Sequence, residues 1–270
     1  MWIELEQISD LSRFVHIFGT RPIDFSSDGW YNLKRTANNG GINVTIRNWV
    51  KFFINALLIG GGITGVLGLF IRWNDVFSQP FQNGEWGEFL AGFVWLIIVG
   101  FTMSMISQMG FFAYLTVHQF GRNMFRSLRL WNWVQILIIV VVIFDLIAFR
   151  FAPNAETTGQ QLLYAGLLAV LLGTAFVTAY FKAKWTNQSA FVSALFFMIV
   201  ITSLEWLPAL MVQAGNVDSW VTLLLFPFLA VNAYQLLALP KYNAKSDEDR
   251  QKLEDRRAAR RAAAEPLAKK

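Results

Sequence analysis

The sequence predicts an all-α fold: a polytopic membrane bundle of six transmembrane helices with both termini in the cytoplasm. Six apolar stretches, at about 52–71, 89–117, 131–149, 161–181, 190–212 and 219–239, fill most of the chain after residue 51. Each carries at most two formal charges, and a hydrocarbon core of ~30 Å needs ~20 helical residues, which is what each stretch supplies. Composition agrees, with 55% hydrophobic and only 15% charged residues, 25 Phe and 11 Trp in 270. The third observation is where the cations lie. Residues 1–51 hold six Lys and Arg, the connection after span two holds Arg122, Arg126 and Arg129, the next basic connection holds Lys182 and Lys184, and the tail after Leu239 holds ten. Only Arg72 and Arg150 remain for the opposite side, where Asp75, Glu85, Glu88, Glu156 and Asp218 also fall. The positive-inside rule then places both termini in the cytoplasm. The pI of 9.6 is therefore a topology signal and not the footprint of a nucleic-acid partner.

The span ends are marked independently. Trp49, Trp73, Trp86, Trp131, Trp133, Trp185 and Trp220 fall near them, where an indole sits well at headgroup level. Span two is the longest, and is expected to tilt or project on the cytoplasmic side. Three regions follow: 1–43, an extension outside the native product or a disordered cytoplasmic segment; 44–239, the transmembrane domain; and 240–270, a charged cytoplasmic tail. The codons for Gly40-Gly41 can form a ribosome-binding sequence a short distance ahead of Val44, which a GTG codon would make a start. In the tail, Ser246 reads as the cap of a new helix, with Asp247, Glu248 and Asp249 in its first turn and Arg256, Arg257, Arg260 and Arg261 toward its other end. That run lacks an apolar stripe, so it is expected to be solvated, attracted to anionic lipid, or a docking site for a cytoplasmic partner.

Few residues suggest chemistry. The chain has no Cys and only His16 and His118, which leaves no thiol chemistry and little for a metal, and no cofactor is expected. No nucleophile elbow, zinc-protease helix, P-loop or dinucleotide fingerprint occurs, so an enzyme is not expected. The polar groups inside the spans carry more information. Gly61 and Gly65 form a GxxxG step suited to close helix packing. Gly100, Ser104, Ser107 and Gln108 make a small and polar stripe on span two, the expected contact with a partner helix, although packing within the bundle would also use it. Two carboxylates, Asp145 and Glu205, are candidate buried switches. Asp145 lies close enough to a span end to reach water by snorkelling. Glu205 is deeper, at the depth of Pro227 across the hairpin of spans five and six, and Pro227 and Pro208 free the carbonyls of Leu223 and Leu204. Glu205 is expected to donate to one of these, or to act as a proton relay or switch.

A longer pattern resembles a known family. Phe93-Val94-Trp95-Leu96, Val99-Gly100-Phe101, the run Ile106-Ser107-Gln108-Met109-Gly110-Phe111-Phe112-Ala113-Tyr114-Leu115-Thr116, then His118, Phe120-Gly121, Phe125-Arg126-Ser127 and Leu130-Trp131-Asn132 look like the KinB-signalling pathway activation family, KbaA. Arg47-Asn48, Gly60-Gly61 and Arg72-Trp73 fit before it, and Phe144-Asp145 and Arg150-Phe151 after it. The resemblance covers about 44–239. It implies a membrane protein of endospore-forming bacteria that is needed by the sporulation sensor histidine kinase KinB, with no catalytic residues, acting by helix contact in the bilayer. A small transporter, or a membrane protein delivering a proton-linked signal, is the alternative. The lipid bilayer and the kinase are the expected partners.

Overall fold

The computed structural model describes residues 46–125, 127–211 and 217–268, and all regular structure among them is helical. The expectations for 1–43, for a start at Val44, for His16 and for the turn near Asn216 fall outside those residues. In chain order the helices are α1 (Ile46–Ile71), a short α2 (Ser78–Asn83), α3 (Trp86–Met124), α4 (Leu128–Asn154), α5 (Thr158–Trp185), α6 (Ala190–Met211) and α7 (Val217–Ala268). All but α2 are long and apolar enough to cross a membrane, as the hydropathy pattern requires.

Local chemistry sets several of the ends. Gly84 turns the chain from α2 into α3 at φ 75°, a left-handed conformation that a Cβ would strain. Ser127 Oγ accepts from the Leu130 amide to start α4. At α5, Thr157 Oγ1 accepts from the Gln160 amide while Gln160 Oε1 accepts from the Thr157 amide, so two otherwise orphaned donors are satisfied reciprocally. Wide π-helical turns interrupt α4 at Leu146–Phe151 and α6 at Phe197–Ile201, and each shifts the inward face of the helix that follows.

Helix α6 is the centre of the bundle, with 61% of its most apolar stretch buried against 17% for α3, the most outward-facing of the long helices. Phe197, Met198 and Trp206 of α6 are sealed from solvent, as are Leu171 and Ala175 of α5 and Val221 and Leu225 of α7. The outward faces are equally apolar: Leu58, Phe70, Met109, Leu137 and Leu162 are all exposed, as a lipid-facing surface requires. Helices α1 and α3 pack closely on each other, and α7 runs along α1, α3, α5 and α6.

The tail departs from the sequence expectation. Ser246 does not begin a helix; it is enclosed within α7, its hydroxyl donating to Tyr242 O at 2.7 Å. Pro240 fails to stop α7 for a visible reason. It removes the amide that would satisfy Leu236 O, and Lys182 Nζ of α5 donates to that carbonyl at 2.7 Å instead. At 52 residues α7 is roughly 78 Å long at helical rise, well beyond a ~30 Å hydrocarbon core. The first turns of its extension, as far as Asp249, are docked on α1, whereas 251–257 are exposed, as expected of a solvated charged run. Asn48 Nδ2 of α1 donates to Ser246 Oγ at 2.9 Å and to Asp249 Oδ2 at 3.1 Å, Arg47 pairs with the same carboxylate at 3.0 Å, and Asn55 Nδ2 donates to Tyr242 OH at 2.8 Å. Phe52 completes the joint, with ring centroids 5.5 Å from Tyr234, 5.3 Å from Tyr242 and 6.2 Å from Phe111.

Candidate functional site: a polar seam inside the bundle

The small and polar stripe of span two is turned inward. Gly100 lies so close to α1 that a Cβ there would be 2.7 Å from Gly61 Cα and 2.7 Å from Thr64 Oγ1. One turn on, Ser104 Oγ donates to Ala56 O of α1 at 3.1 Å, and a further turn on Ser107 Oγ donates to Asn232 Oδ1 of α7 at 2.6 Å. Gln108 is buried beside them. The partner contact expected of these four residues therefore meets a face already covered by α1 and α7, and Ser104→Leu would disturb folding before it touched a partner. Gly61 and Gly65 serve the same joint from the other side: Gly61 meets the ring of Phe101, and a Cβ on Gly65 would lie 3.0 Å from Ile97. Small residues let the two backbones approach, and the hydroxyls then find acceptors where no water competes.

Glu205 sits at the inner end of this seam. It is 8% exposed, its Oε2 accepts from Asn232 Nδ2 at 2.7 Å, and its Oε1 presses on Gly110 of α3 where a Cβ would otherwise stand. Asn232 Nδ2 also donates to Thr202 Oγ1 at 2.9 Å, so one amide joins α3, α6 and α7. The sequence placed Glu205 against a carbonyl freed by Pro208 or Pro227; its partner is instead the Asn232 side chain. The π-helical turn Phe197–Ile201 immediately precedes Thr202 and sets the rotation that brings Thr202 and Glu205 to α7. Trp206, fully buried, holds the hairpin by donating from Nε1 to Val221 O at 2.9 Å.

Asp145 does not join the seam. Its side chain is 43% exposed and pairs with Arg150 at 3.6 Å at the far end of α4, so the premise of a buried acid fails there. At the same end of the bundle Asp218 accepts from Gln160 Nε2 at 3.2 Å and Tyr164 OH at 3.1 Å, tying α7 to α5. Arg72, between α1 and the turn that follows, lies 4.0 Å over the Trp220 ring and 3.6 Å from Asp75; burial lowers its pKa and Asp75 opposes that shift. At the tail end, hydrogen bonding from Asn48 and the charges of Arg47 and Lys252 hold Asp249 below the usual carboxylate range. A depressed carboxylate pKa makes the Asp249 contribution to docking present above the ordinary Asp range and lost only as pH falls through the lower value.

Three residues that matter here were not singled out in the sequence. Asn232 and, nearly a turn on, Gln235 are amides in an otherwise apolar run, a pattern that marks an inward helix face, and both are buried. Lys182 was assigned to a connection, although Pro240 four residues after Leu236 pointed to a carbonyl in want of a donor. Gly110 sat unremarked inside the family-like run.

The fold and the seam define a helical bundle with six helices long and apolar enough to cross a membrane, organised by an internal polar joint, with no cluster of metal-ligating side chains among the described residues. The family described as KinB-signalling pathway activation in sporulation matches residues 60–242. The KinB-signaling pathway activation protein of Bacillus subtilis (strain 168) is 44% identical over 199 residues, 74% of this chain and 98% of that protein. The chain belongs to the KinB-signalling pathway activation family, whose description is that of a signalling activator and not of an enzyme. No solved structure matches it.

Proposed function

We propose that this chain is an integral protein of the plasma membrane, with cytoplasmic termini, that activates the sporulation kinase KinB by helix contact within the bilayer. Family membership supports the pathway. The observation that carries the mechanism is the position of α3. Met109 faces outward at 71% exposure, while its neighbour Gly110 faces inward against Glu205 Oε1. One helix thickness therefore separates a partner seated on the outer face of α3 from the seam that joins α3, α6 and α7. A contact that favours one packing of α3 biases the seam, and by reciprocity the seam biases the contact; a coupling of ~1–3 kcal/mol gives roughly 5- to 150-fold activation.

The orientation rests on the 21 of 23 cations assigned to one side. Reporter fusions after Trp131 and after Leu239 are expected to read as cytoplasmic, and fusions near Asp75 and Asn216 as external. A cytoplasmic Asn216 would rule out six crossings in this sense.

A second reading, a transporter or proton-linked signal carrier, is favoured by one observation, the enclosed Glu205. Glu205→Gln separates the two. The amide keeps the shape and its carbonyl still accepts from Asn232 Nδ2, so a joint that only holds helices together predicts near-normal sporulation. Loss of signalling with undiminished protein in the membrane would favour titration of Glu205 as part of the mechanism.

A further inference from the structure

Where the α7 extension docks on α1, Arg47, Lys252 and Arg256 line an open cleft of about 350 Å³ together with Asp249 and Leu253. Asp249 is already engaged by Arg47 and Asn48, at 3.0 and 3.1 Å, and so fixes the cleft wall without neutralising it. Three cations against one carboxylate leave a formal excess of two positive charges around a space that no side chain of the described chain fills. Two guanidinium groups and an ammonium suit a phosphate, because the arginine forks can bond two oxygens each while the lysine adds a point charge. The flank of the cleft is apolar. Leu253 is half exposed, and Ile46, Val50 and Ile54 form an exposed strip that leads from Arg47 along α1 into the membrane-crossing segment.

We propose that this cleft binds the phosphate of an anionic phospholipid, with the headgroup held by Arg47, Lys252 and Arg256 and an acyl chain lying along Val50 and Ile54. The proposal rests on the membrane placement given above but not on the kinase. It makes a built site of the joint between α1 and the tail, with the lipid joining the contacts that Asn48 and Asp249 already make.

The test uses the full chain in nanodiscs of phosphatidylcholine with and without phosphatidylglycerol, followed by gentle detergent extraction and native mass spectrometry of retained lipid. The wild type is expected to retain phosphatidylglycerol selectively and to melt higher in discs that contain it. Lys252→Gln with Arg256→Gln should reduce that selectivity roughly thirtyfold, leaving melting in pure phosphatidylcholine unchanged. Lys241→Gln with Lys245→Gln, exposed cations of the same helix outside the cleft, should leave selectivity intact. Equal losses from both pairs would reduce the effect to general attraction of a basic tail and overturn the site. Stabilisation by inorganic phosphate in neutral discs as large as that by phosphatidylglycerol would overturn the assignment to a lipid. Failure on either count leaves kinase activation to be judged by its own experiments.

Discussion

Gly100→Leu is expected to prevent α1 from seating on α3 and to remove most of the folded protein. The added side chain has nowhere to go: its Cβ alone would lie 2.7 Å from Gly61 Cα, and backbone cannot swing aside as the end of a side chain can. Overpacking of this kind commonly costs about 1–3 kcal/mol and here sits at or above that range, because separating the helices also breaks the hydrogen bond from Ser104 to Ala56 O. Thermal unfolding of the detergent-solubilised protein and its yield in membranes measure the effect. Gly62→Leu provides the contrast. Nothing lies within 4 Å of a Cβ there, so the same substitution two residues from Gly60 should be nearly neutral. A Gly100→Leu protein as stable as the wild type would show that α1 and α3 do not meet through these glycines.

Asn232→Leu should do comparable damage by a different route. Its amide accepts from Ser107 and donates to Thr202 and to Glu205, so a leucine takes the Asn232 bond from two hydroxyls and a carboxyl in the apolar interior. Interhelical hydrogen bonds in membranes average ~0.6 kcal/mol with a maximum near 1.7, so three of them amount to about 2 kcal/mol and at most about 5. Ser107→Ala removes only one bond and should cost about a third as much. Unfolding in a denaturing detergent mixture ranks the two, and equal losses would mean that Asn232 is not the hub. Because the amide joins α3 to α6 and α7, sporulation signalling should fall in Asn232→Leu even in cells where enough protein reaches the membrane.

The physics of a membrane interior explains how far the sequence carried these conclusions. Six apolar runs gave six helices, since backbone groups in lipid must be satisfied within each helix and little else can form. Hydropathy was silent on which face turns inward: Leu90 is 59% exposed and Leu96 1%, with the same side chain on the same helix. Polar residues broke that tie for α3, where Gly100, Ser104, Ser107 and Gln108 marked a face turned from lipid. They could not tell whether the protein behind it was a partner or α1 and α7 of the same chain, because a hydroxyl asks only for an acceptor. Glu205 was recognised as deep and polar, whereas its partner Asn232 depended on the crossing of α6 over α7, set by a π-helical turn with no sequence signature. The tail failed for a related reason. Pro240 followed by a dense run of charge reads as a stop and a fresh start, and only the placement of Lys182 opposite Leu236 O shows why α7 continues.

The central claim, contact between α3 and the kinase in the bilayer, is tested most directly by site-specific photocrosslinking in sporulating cells. A photoreactive residue at Met109, on the outer face of α3, is compared with one at Leu162, exposed at 76% on α5. The account predicts an adduct with KinB from position 109 and none from position 162. Adducts from 162 alone, or none from any outward position on α3 while signalling is intact, would contradict it.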